Sequence, residues 1–415
     1  MTTAEIITIG TEIVTGQIID TNAPYIARIL NEKGIQVLFQ TSVGDNKELI
    51  KSAMKIAMER VGLIITTGGL GPTANDMTRK TVSDVFNVPL VSDKGSYTHI
   101  QKYLGSLHVN ISDGHKKQSM IPEGAYVIRN DNGTATGFAY RHGGTEIVCL
   151  PGVPREMQPM LNKYLEIYNS QHKSEEGCRL TRSLHTFGIS EPAIDARLKG
   201  YAGREEQIKT MTLVHDGIVT VNITATVKTR ESAIKLLDRI ERDIRKQLGL
   251  AVFGMGDETL ESAVAMLLKK CNKTIAVAES CTGGLVSDKF TNIPGISEYF
   301  LEGIVAYSNK AKVDILGVSD ELIQKHGAVS EHVAIAMAEG VKGRSSADIG
   351  VGITGIAGPT GATKDKPVGL VYIVVIVDGN IEAKKCRFRG SRIDVKNYSA
   401  NTALNMVRLK LMQML

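Results

Sequence analysis

The sequence predicts an α/β protein: two α/β domains with mainly parallel sheets, joined by a small α+β module. Three observations carry that prediction. Short apolar runs alternate with helical periodicities over residues 1–170, and again over 256–415. In both stretches an apolar run leads straight into a Gly-rich loop. Between them, residues 171–255 switch to the period-two alternation of half-exposed strands.

The elements follow in order. "AEIITIG", "IQVLFQTSVG" and "LIITTGG" read as strands, separated by the helices "DTNAPYIARILNEKG" and "NKELIKSAMKIAMERVG". Asp20 or Thr21 is the expected N-cap of the first helix and Gly34 its stop. That βαβαβ order calls for a parallel sheet with helices on both faces. "AYVIRN", "GFAYRHGGTEIVCL" and the helix "PREMQPMLNKYLEIYN" complete the first domain. The polar stretch "QHKSEEG" reads as a linker. The middle module offers strands in "RLTRSLHTFGIS" and "TVNITATVKT" and helices in "EPAIDARLKG" and "ESAIKLLDRIERDIRKQLG". The last domain offers "TLESAVAMLLKKCN" as helix, "TIAVAES", "DIGVGITG", "GLVYIVVIVDG" and "IEAKKCRFRG" as strands, and one long amphipathic helix at the end.

Composition narrows the function classes. Over 415 residues, 42% hydrophobic and 22% charged content suffices for more than one core. The net charge of +5 is mild, and lysines and arginines are spread along helical stretches, so a large nucleic-acid surface is not expected. The five cysteines are widely spaced without a CxxC pair, which indicates neither a disulfide framework nor a thiolate zinc site. The start "MTTAEIITIG" lacks a signal-peptide pattern. The longest apolar run, "VYIVVIV", is too short to span a bilayer. A cytoplasmic protein without a membrane partner is expected.

Two loops hold the candidate chemistry. "LIITTGGLGPTANDMT" runs from strand through Gly68, Gly69 and Gly71 toward a helix, a suitable setting for phosphate. It is neither a Walker loop nor a GxGxxG fingerprint. Thr73 adds a hydroxyl donor, and Glu12, Asp45 and Asp76 fall at the same carboxyl edge of the sheet. Three acids beside a phosphate loop could hold Mg²⁺.

In the last domain, "AVAESCTGGLV" sets two nucleophiles, Ser280 and Cys281, between a strand and a helix. No G-x-S-x-G elbow accompanies them. His326 and His332 in "QKHGAVSEH" fall at a helix terminus and on a helix face, where structural roles are expected. A lysine base is the alternative, and "GIVAYSNKAKVDILGV" supplies Lys310 and Lys312, between which spacing does not choose. "GVGITGIAGPTGATKDKPVG" places Thr354 and an open backbone around Gly355 beside a second Gly-rich loop. "RFRGSR" offers Arg387, Arg389 and Arg392 to a phosphate.

Taken together, "IGTEIVTGQIIDTNA", "VGDN", "GGLGPTANDMT", "NGTATG" and "PGVPREM" resemble the molybdopterin-binding-like domain of the CinA family of competence/damage-inducible proteins. The resemblance implies a metal-dependent ADP-ribose pyrophosphatase. Asp45 and Asp76 would lie near a divalent metal (Mg²⁺ or similar), and Gly69, Gly71 and Thr73 would cradle phosphate. The family usually carries two acids where this chain has Asn75–Asp76, so one negative charge is missing.

"AESCTGGLV", "TNIPGISEYFLEGIVAYSNKAKVDILGV", "HGAVSEHVAIAMAEG", "GITGIAGPTG", "KPVGLVYI" and "FRGSR" resemble the nicotinamide-nucleotide amidase domain of the same family. That resemblance implies deamidation of nicotinamide mononucleotide (NMN) to nicotinic acid mononucleotide and ammonia, without a cofactor. It assigns Ser280 as nucleophile, Tyr307 as the residue that orients the pair or relays the proton, and Lys312 as base. Thr354 and Arg392 become substrate-binding residues, and Cys281 a buried neighbour.

The middle module resembles the family's KH-type domain through "GYAG" at 200–203. Arg204 is followed by Glu205 and Glu206, which would repel a nucleic-acid backbone, so a spacer or dimerisation role is expected. A homodimer is the default assembly. The competing functional class is a molybdopterin- or nucleotide-binding protein linked to competence or DNA damage.

Overall fold

A computed structural model describes residues 2–171, 178–199 and 207–415. The "GYAG" motif, Arg204 and most of the polar linker lie outside the described residues. By internal packing the chain divides into two compact units, Met1–Thr181 with Thr224–Leu236, and Arg182–Ile223 with Leu237–Leu415.

The first domain contains β1 (Thr3–Ile9), β2 (Gln36–Val43), β3 (Leu63–Thr67), β4 (Leu90–Ser92), β5 (Met120–Pro122), β6 (Tyr126–Ile128), β7 (Gly137–His142) and β8 (Thr145–Leu150). Six of these form a sheet in the order β2-β1-β3-β8-β7-β6. The first four are parallel, and β7 and β6 add an antiparallel edge. Residues 63–67 of β3 are buried throughout, as a parallel strand covered on both faces must be. Successive side chains serve opposite cores. Ile6, Leu63 and Val148 pack under the helices Asn22–Glu32 and Pro154–Gln171. Ile7, Ile64 and Ile147 pack under Lys47–Arg60 and Thr78–Phe86. The short β4–β5 ladder and the helix Lys94–Ser106 carry no clear sequence signal.

The middle module holds β9 (Cys178–Phe187), β10 (Ile208–His215), β11 (Ile218–Val227) and β12 (Val252–Met255), in the order β10-β11-β9-β12. Buried and half-buried residues alternate along β11, as its period-two pattern predicts.

The last domain holds β13 (Ile275–Glu279), β14 (Phe300–Val305), β15 (Ile349–Gly355), β16 (Leu370–Val377) and β17 (Asn380–Arg387), in the order β14-β13-β15-β16-β17. The β14-β13-β15 half is parallel, and β16 and β17 are antiparallel. Helices Leu260–Cys271, Leu285–Thr291 and Arg392–Met412 cover one face. Asn309–Leu316, Asp320–His326 and Glu331–Ser345 cover the other.

The final helix departs from expectation. It is not amphipathic: every residue from 399 to 408 is buried. The sheet covers one side, and segments of the middle module in the same unit cover the other. Asn401 Nδ2 donates to the Asp216 carbonyl at 3.0 Å, and Arg408 reaches the Leu250 carbonyl. A helix flanked on two sides loses its polar stripe.

Gly68, where β3 leaves the sheet, has φ +108°, and a Cβ there would stand 2.0 Å from the Ile9 carbonyl oxygen. Gly68→Ala is therefore expected to lower stability by about 1–3 kcal/mol or more through backbone strain and the clash. Urea unfolding of the variant against the parent checks this.

Candidate active site and second ligand cavity

The parallel half of the last sheet places three chain reversals at one carboxyl edge, the position where open α/β sheets bind ligands. Ser280 leaves β13, and its N–H donates to the Ile353 carbonyl at 2.9 Å, which pins it to β15. The Ser280 carbonyl accepts from Gly283 N–H at 3.1 Å and closes a turn. Gly283 and Gly284, with φ of +64° and +92°, carry the chain into the helix Leu285–Thr291. Glu279 caps that helix, accepting from the Val286 and Ser287 N–H groups and the Ser287 hydroxyl. A wholly buried carboxylate thus meets otherwise unpaired donors at a helix N-terminus.

On the neighbouring strand, Ser308 caps the helix Asn309–Leu316. The helical period then buries Lys312 and Leu316 on one face and leaves Lys310 outside, paired with Asp314 at 2.7 Å. Tertiary burial therefore chooses between the two lysines. Lys312 is 1% exposed. Its Nζ lies 3.0 Å from Ser280 Oγ, 2.8 Å from the Ala306 carbonyl and 3.3 Å from the Tyr307 carbonyl. Burial holds its pKa below the ordinary 10.5. A neutral amine has two hydrogens and one lone pair. Two carbonyls can take the hydrogens, which leaves the lone pair for the serine hydroxyl.

Ser280 is 7% exposed and lines a cavity of about 310 Å³ with Cys281, Tyr307, Lys312, Thr354, Gly355 and Arg392. Ser280, Tyr307, Lys312, Thr354, Gly355 and Arg392 therefore share one pocket. Burial pushes the Cys281 thiol up to about 12, so the thiolate is scarce at neutral pH. Thr354 Oγ1 donates to the Ala328 carbonyl at 2.8 Å and ties the far wall to β15.

Tyr307 differs from expectation. Only its backbone carbonyl touches Lys312, and its side chain is 60% exposed. The phenol oxygen accepts from Arg392 Nη2 at 2.7 Å, while Arg392 Nη1 donates to the Gly358 carbonyl at 2.7 Å. The phenol thus braces the arginine at the pocket mouth. Arg387 and Arg389 are exposed and do not line the pocket. His326 and His332 stack on each other, with ring centroids 3.9 Å apart, outside the pocket's described lining. Asn309 and the Ala306 carbonyl were not evident in the sequence: one is a helix-start residue and the other a backbone atom.

The first domain holds a cavity of about 700 Å³ around the Gly-rich loop. Gly69, Gly71, Thr73, Asp45, Asn75, Asp76 and Glu12 all line it. The carboxylates already have work within the loops. Asp45 Oδ2 accepts from the Thr11 N–H and hydroxyl at 2.8 and 2.9 Å. Asp76 accepts from Gly71 N–H at 2.7 Å, Thr73 N–H at 2.8 Å and the Thr73 hydroxyl at 2.5 Å. Donors expected to cradle phosphate are here turned to the Asp76 carboxylate. Asp20, not Thr21, supplies the side-chain cap of the helix Asn22–Glu32, accepting from the Asn22 and Ala23 N–H groups.

Arg79 lies buried behind the loop and donates to the Leu70 and Thr136 carbonyls. Burial lowers it to about 10, which still leaves it charged at neutral pH. Lys117 clamps the loop through the Thr73 and Asp76 carbonyls. Among the described residues no cluster of three His, Cys, Asp or Glu could enclose a metal ion. A pair of carboxylates suits Mg²⁺ only when phosphate and water complete its shell.

Comparison with known proteins places each segment. Residues 5–169 match the family described as "Probable molybdopterin binding domain". Residues 181–254 match the "Damage-inducible protein CinA KH domain", and 257–411 match the "CinA C-terminal domain". A CinA-like protein of Kosmotoga olearia is 42% identical over 409 residues, covering 99% of both chains. One from Dictyoglomus thermophilum is 40% identical over 410 residues, with the same coverage. Among solved structures, CinA of Thermoplasma acidophilum, described as of unknown function, is 33% identical. The match covers 40% of this chain and 97% of that one, with a TM-score of 0.38. The molybdopterin biosynthesis enzyme MoaB of Thermus thermophilus is 20% identical, with 41% and 94% coverage and a TM-score of 0.29. With full-length relatives near 40% identity and all three segments matched in order, the chain belongs to the CinA family.

Proposed function

We propose that the last domain is an amidohydrolase that deamidates nicotinamide mononucleotide to nicotinic acid mononucleotide and ammonia. The observation that carries this reading is the buried Lys312 Nζ, 3.0 Å from Ser280 Oγ, in a pocket that Arg392 also lines. Lys312, in its neutral form, takes the proton as Ser280 attacks the carboxamide carbon. The resulting ammonium returns a proton to the departing nitrogen, and ammonia leaves an acyl-serine. Water, deprotonated by the same amine, then releases the acid and frees Ser280. Backbone N–H groups of the turn after Ser280 suit the developing oxyanion. Arg392, braced by Tyr307 and the Gly358 carbonyl, suits the substrate phosphate.

The cavity of the first domain supports a second activity, hydrolysis of ADP-ribose at its pyrophosphate. Its size suits a nucleotide, and the Gly-rich loop supplies backbone donors. Its described lining contains Glu12, Asp45, Asp76 and Glu156 but no lysine or arginine. A pyrophosphate would therefore need a divalent cation beside it here, and Asp45 and Asp76 are the residues that would hold that cation from the protein side. The cation would neutralise charge on the pyrophosphate. Binding of the pair would compete with the hydrogen bonds that Asp76 makes to Gly71 and Thr73.

Ammonia release from nicotinamide mononucleotide tests the first activity. Ser280→Ala is expected to abolish it, Lys312→Ala to lower it by about 10²–10⁴-fold, and Cys281→Ala to leave it largely intact. Loss only in the cysteine variant would reverse the assignment of the nucleophile.

The pH profile gives a second check. Lys312 must lose its proton to act, and burial lowers the pH at which it does so. Thus kcat/KM is expected to rise with pH through a pKa below 10.5 and then level off. Stability gains the same sign of slope in that window, because the unfolded chain binds the extra proton.

For the first domain, AMP formation from ADP-ribose with Mg²⁺ is expected to fall on chelation and in Asp45→Asn. No AMP from the parent protein would remove this second activity.

A further inference from the structure

The Ser280 pocket is bounded on one side by a loop whose far half has no role in the chemistry above. Between β15 and β16 the chain makes a long excursion over residues 356–369. Two backbone bonds close its base. Ile356 N–H donates to the Leu370 carbonyl at 2.9 Å, and Gly369 N–H to the Ile356 carbonyl at 2.7 Å. Ile356, Ala357, Gly358, Thr360 and Gly361 line the pocket, while the tip, residues 361–365, is exposed. A loop of this length fixed only at its base would sample many conformations.

Two side chains hold it beyond the base. Arg392 fixes the near half through the Gly358 carbonyl. In the far half, Lys366 Nζ donates to the His326 carbonyl at 2.6 Å. His326 ends the helix Asp320–His326, so its carbonyl has no partner within that helix. The Lys366 ammonium supplies one through a charge-assisted bond. Gly327 makes room for it: φ there is +75°, and a Cβ would stand 2.5 Å from Lys366 Nζ. The backbone of Lys366 is itself set by a turn with Thr363. Thr363 N–H donates to the Lys366 carbonyl at 2.9 Å, and Lys366 N–H donates to Thr363 Oγ1 at 3.1 Å.

The chain just after His326 belongs to the pocket. Ala328 and Val329 line it, and the Ala328 carbonyl accepts from Thr354 Oγ1. Lys366 therefore ties the loop to a second lining segment. Ser280 and Lys312 are positioned separately, by the Ile353 carbonyl and by the helix Asn309–Leu316. Breaking the tie frees the wall and leaves the reacting pair in place.

We infer that Lys366 is a positioning residue of this pocket, whose bond to the His326 carbonyl fastens the loop 356–369 as a strap that keeps the pocket shaped for its substrate. The inference rests on the amidohydrolase reading proposed above and adds a residue that governs substrate binding and not the chemical step.

The experiment measures steady-state ammonia release from nicotinamide mononucleotide by the full-length parent and by Lys366→Met, Lys366→Arg and Lys364→Met. Methionine keeps an unbranched stem and removes the donor, whereas arginine keeps both donor and charge. Loss of a charge-assisted bond corresponds to about a factor of ten or more, so Lys366→Met is expected to raise KM about tenfold with kcat within about twofold of the parent. Lys366→Arg is expected to recover most of that loss. Lys364→Met removes the same charge from the exposed tip and should leave KM unchanged; an equal rise there would trace the effect to charge and overturn the inference. Trypsin gives a readout independent of turnover. It cuts after Lys364, and the bond after position 366 is protected by Pro367. Cleavage after Lys364 should run about tenfold faster in Lys366→Met, because the loop opens more often. Unchanged KM or unchanged cleavage in Lys366→Met overturns the inference and leaves the amidohydrolase reading standing. A fall in kcat without a rise in KM does the same. No ammonia from the parent overturns both.

Discussion

The last domain is organised around one buried amine. Lys312 sits where its four methylenes enter the core and its nitrogen meets three oxygens. Burying a lysine costs free energy unless its hydrogens are matched and its charge is paired or relinquished. Here the matching groups are the Ala306 and Tyr307 carbonyls, released from the sheet because β14 ends at Val305. Strand end, helix cap at Ser308 and the period that returns Lys312 inward form one constraint. Ser280, held by its bond to the Ile353 carbonyl, is the third oxygen. The same arrangement that lowers the pKa of the amine also aims it, so desolvation and positioning arise together.

The cavity of the first domain solves a different problem. Its loop presents backbone donors, and the protein satisfies them internally with Asp76. A carboxylate in that position mimics the anion that such a loop suits. Arg79 beneath the loop stays charged at neutral pH although burial lowers its pKa to about 10. Beside the loop, Asn22 Oδ1 and Gln118 Oε1 are buried without a hydrogen-bond partner. One pocket thus centres on a lone amine among oxygens, and the other is rich in acceptors. Different ligand chemistries follow from these two linings.

Much of this was legible in the sequence. The alternation of "AEIITIG", "IQVLFQTSVG" and "LIITTGG" with helical stretches announced a parallel sheet, and β1 and β3 are nearly continuously buried because both their faces are covered. The Gly-rich loops marked both cavities, because backbone conformations such as that of Gly68 exclude other residues. The final helix misled. It was expected to be amphipathic, but its polar residues Asn401, Asn405 and Arg408 are buried and bonded to carbonyls of distant segments or to one another. A one-dimensional pattern records that a residue is polar, not whether its partner is water or protein.

By itself, then, the sequence determined the element order, the two Gly-rich turns and the residue types gathered around them, since each depends on local backbone chemistry and on apolar periodicity. Only the tertiary structure decided between Lys310 and Lys312, which differ in burial and not in kind. It alone turned the Tyr307 phenol to Arg392 and showed that Asp76 occupies the donors of its own loop. It alone left the Asn22, Gln118 and Asn401 amide oxygens unpaired. Desolvation, hydrogen-bond partnership and the meeting of distant strand ends belong to three-dimensional packing, and no spacing along the chain encodes them.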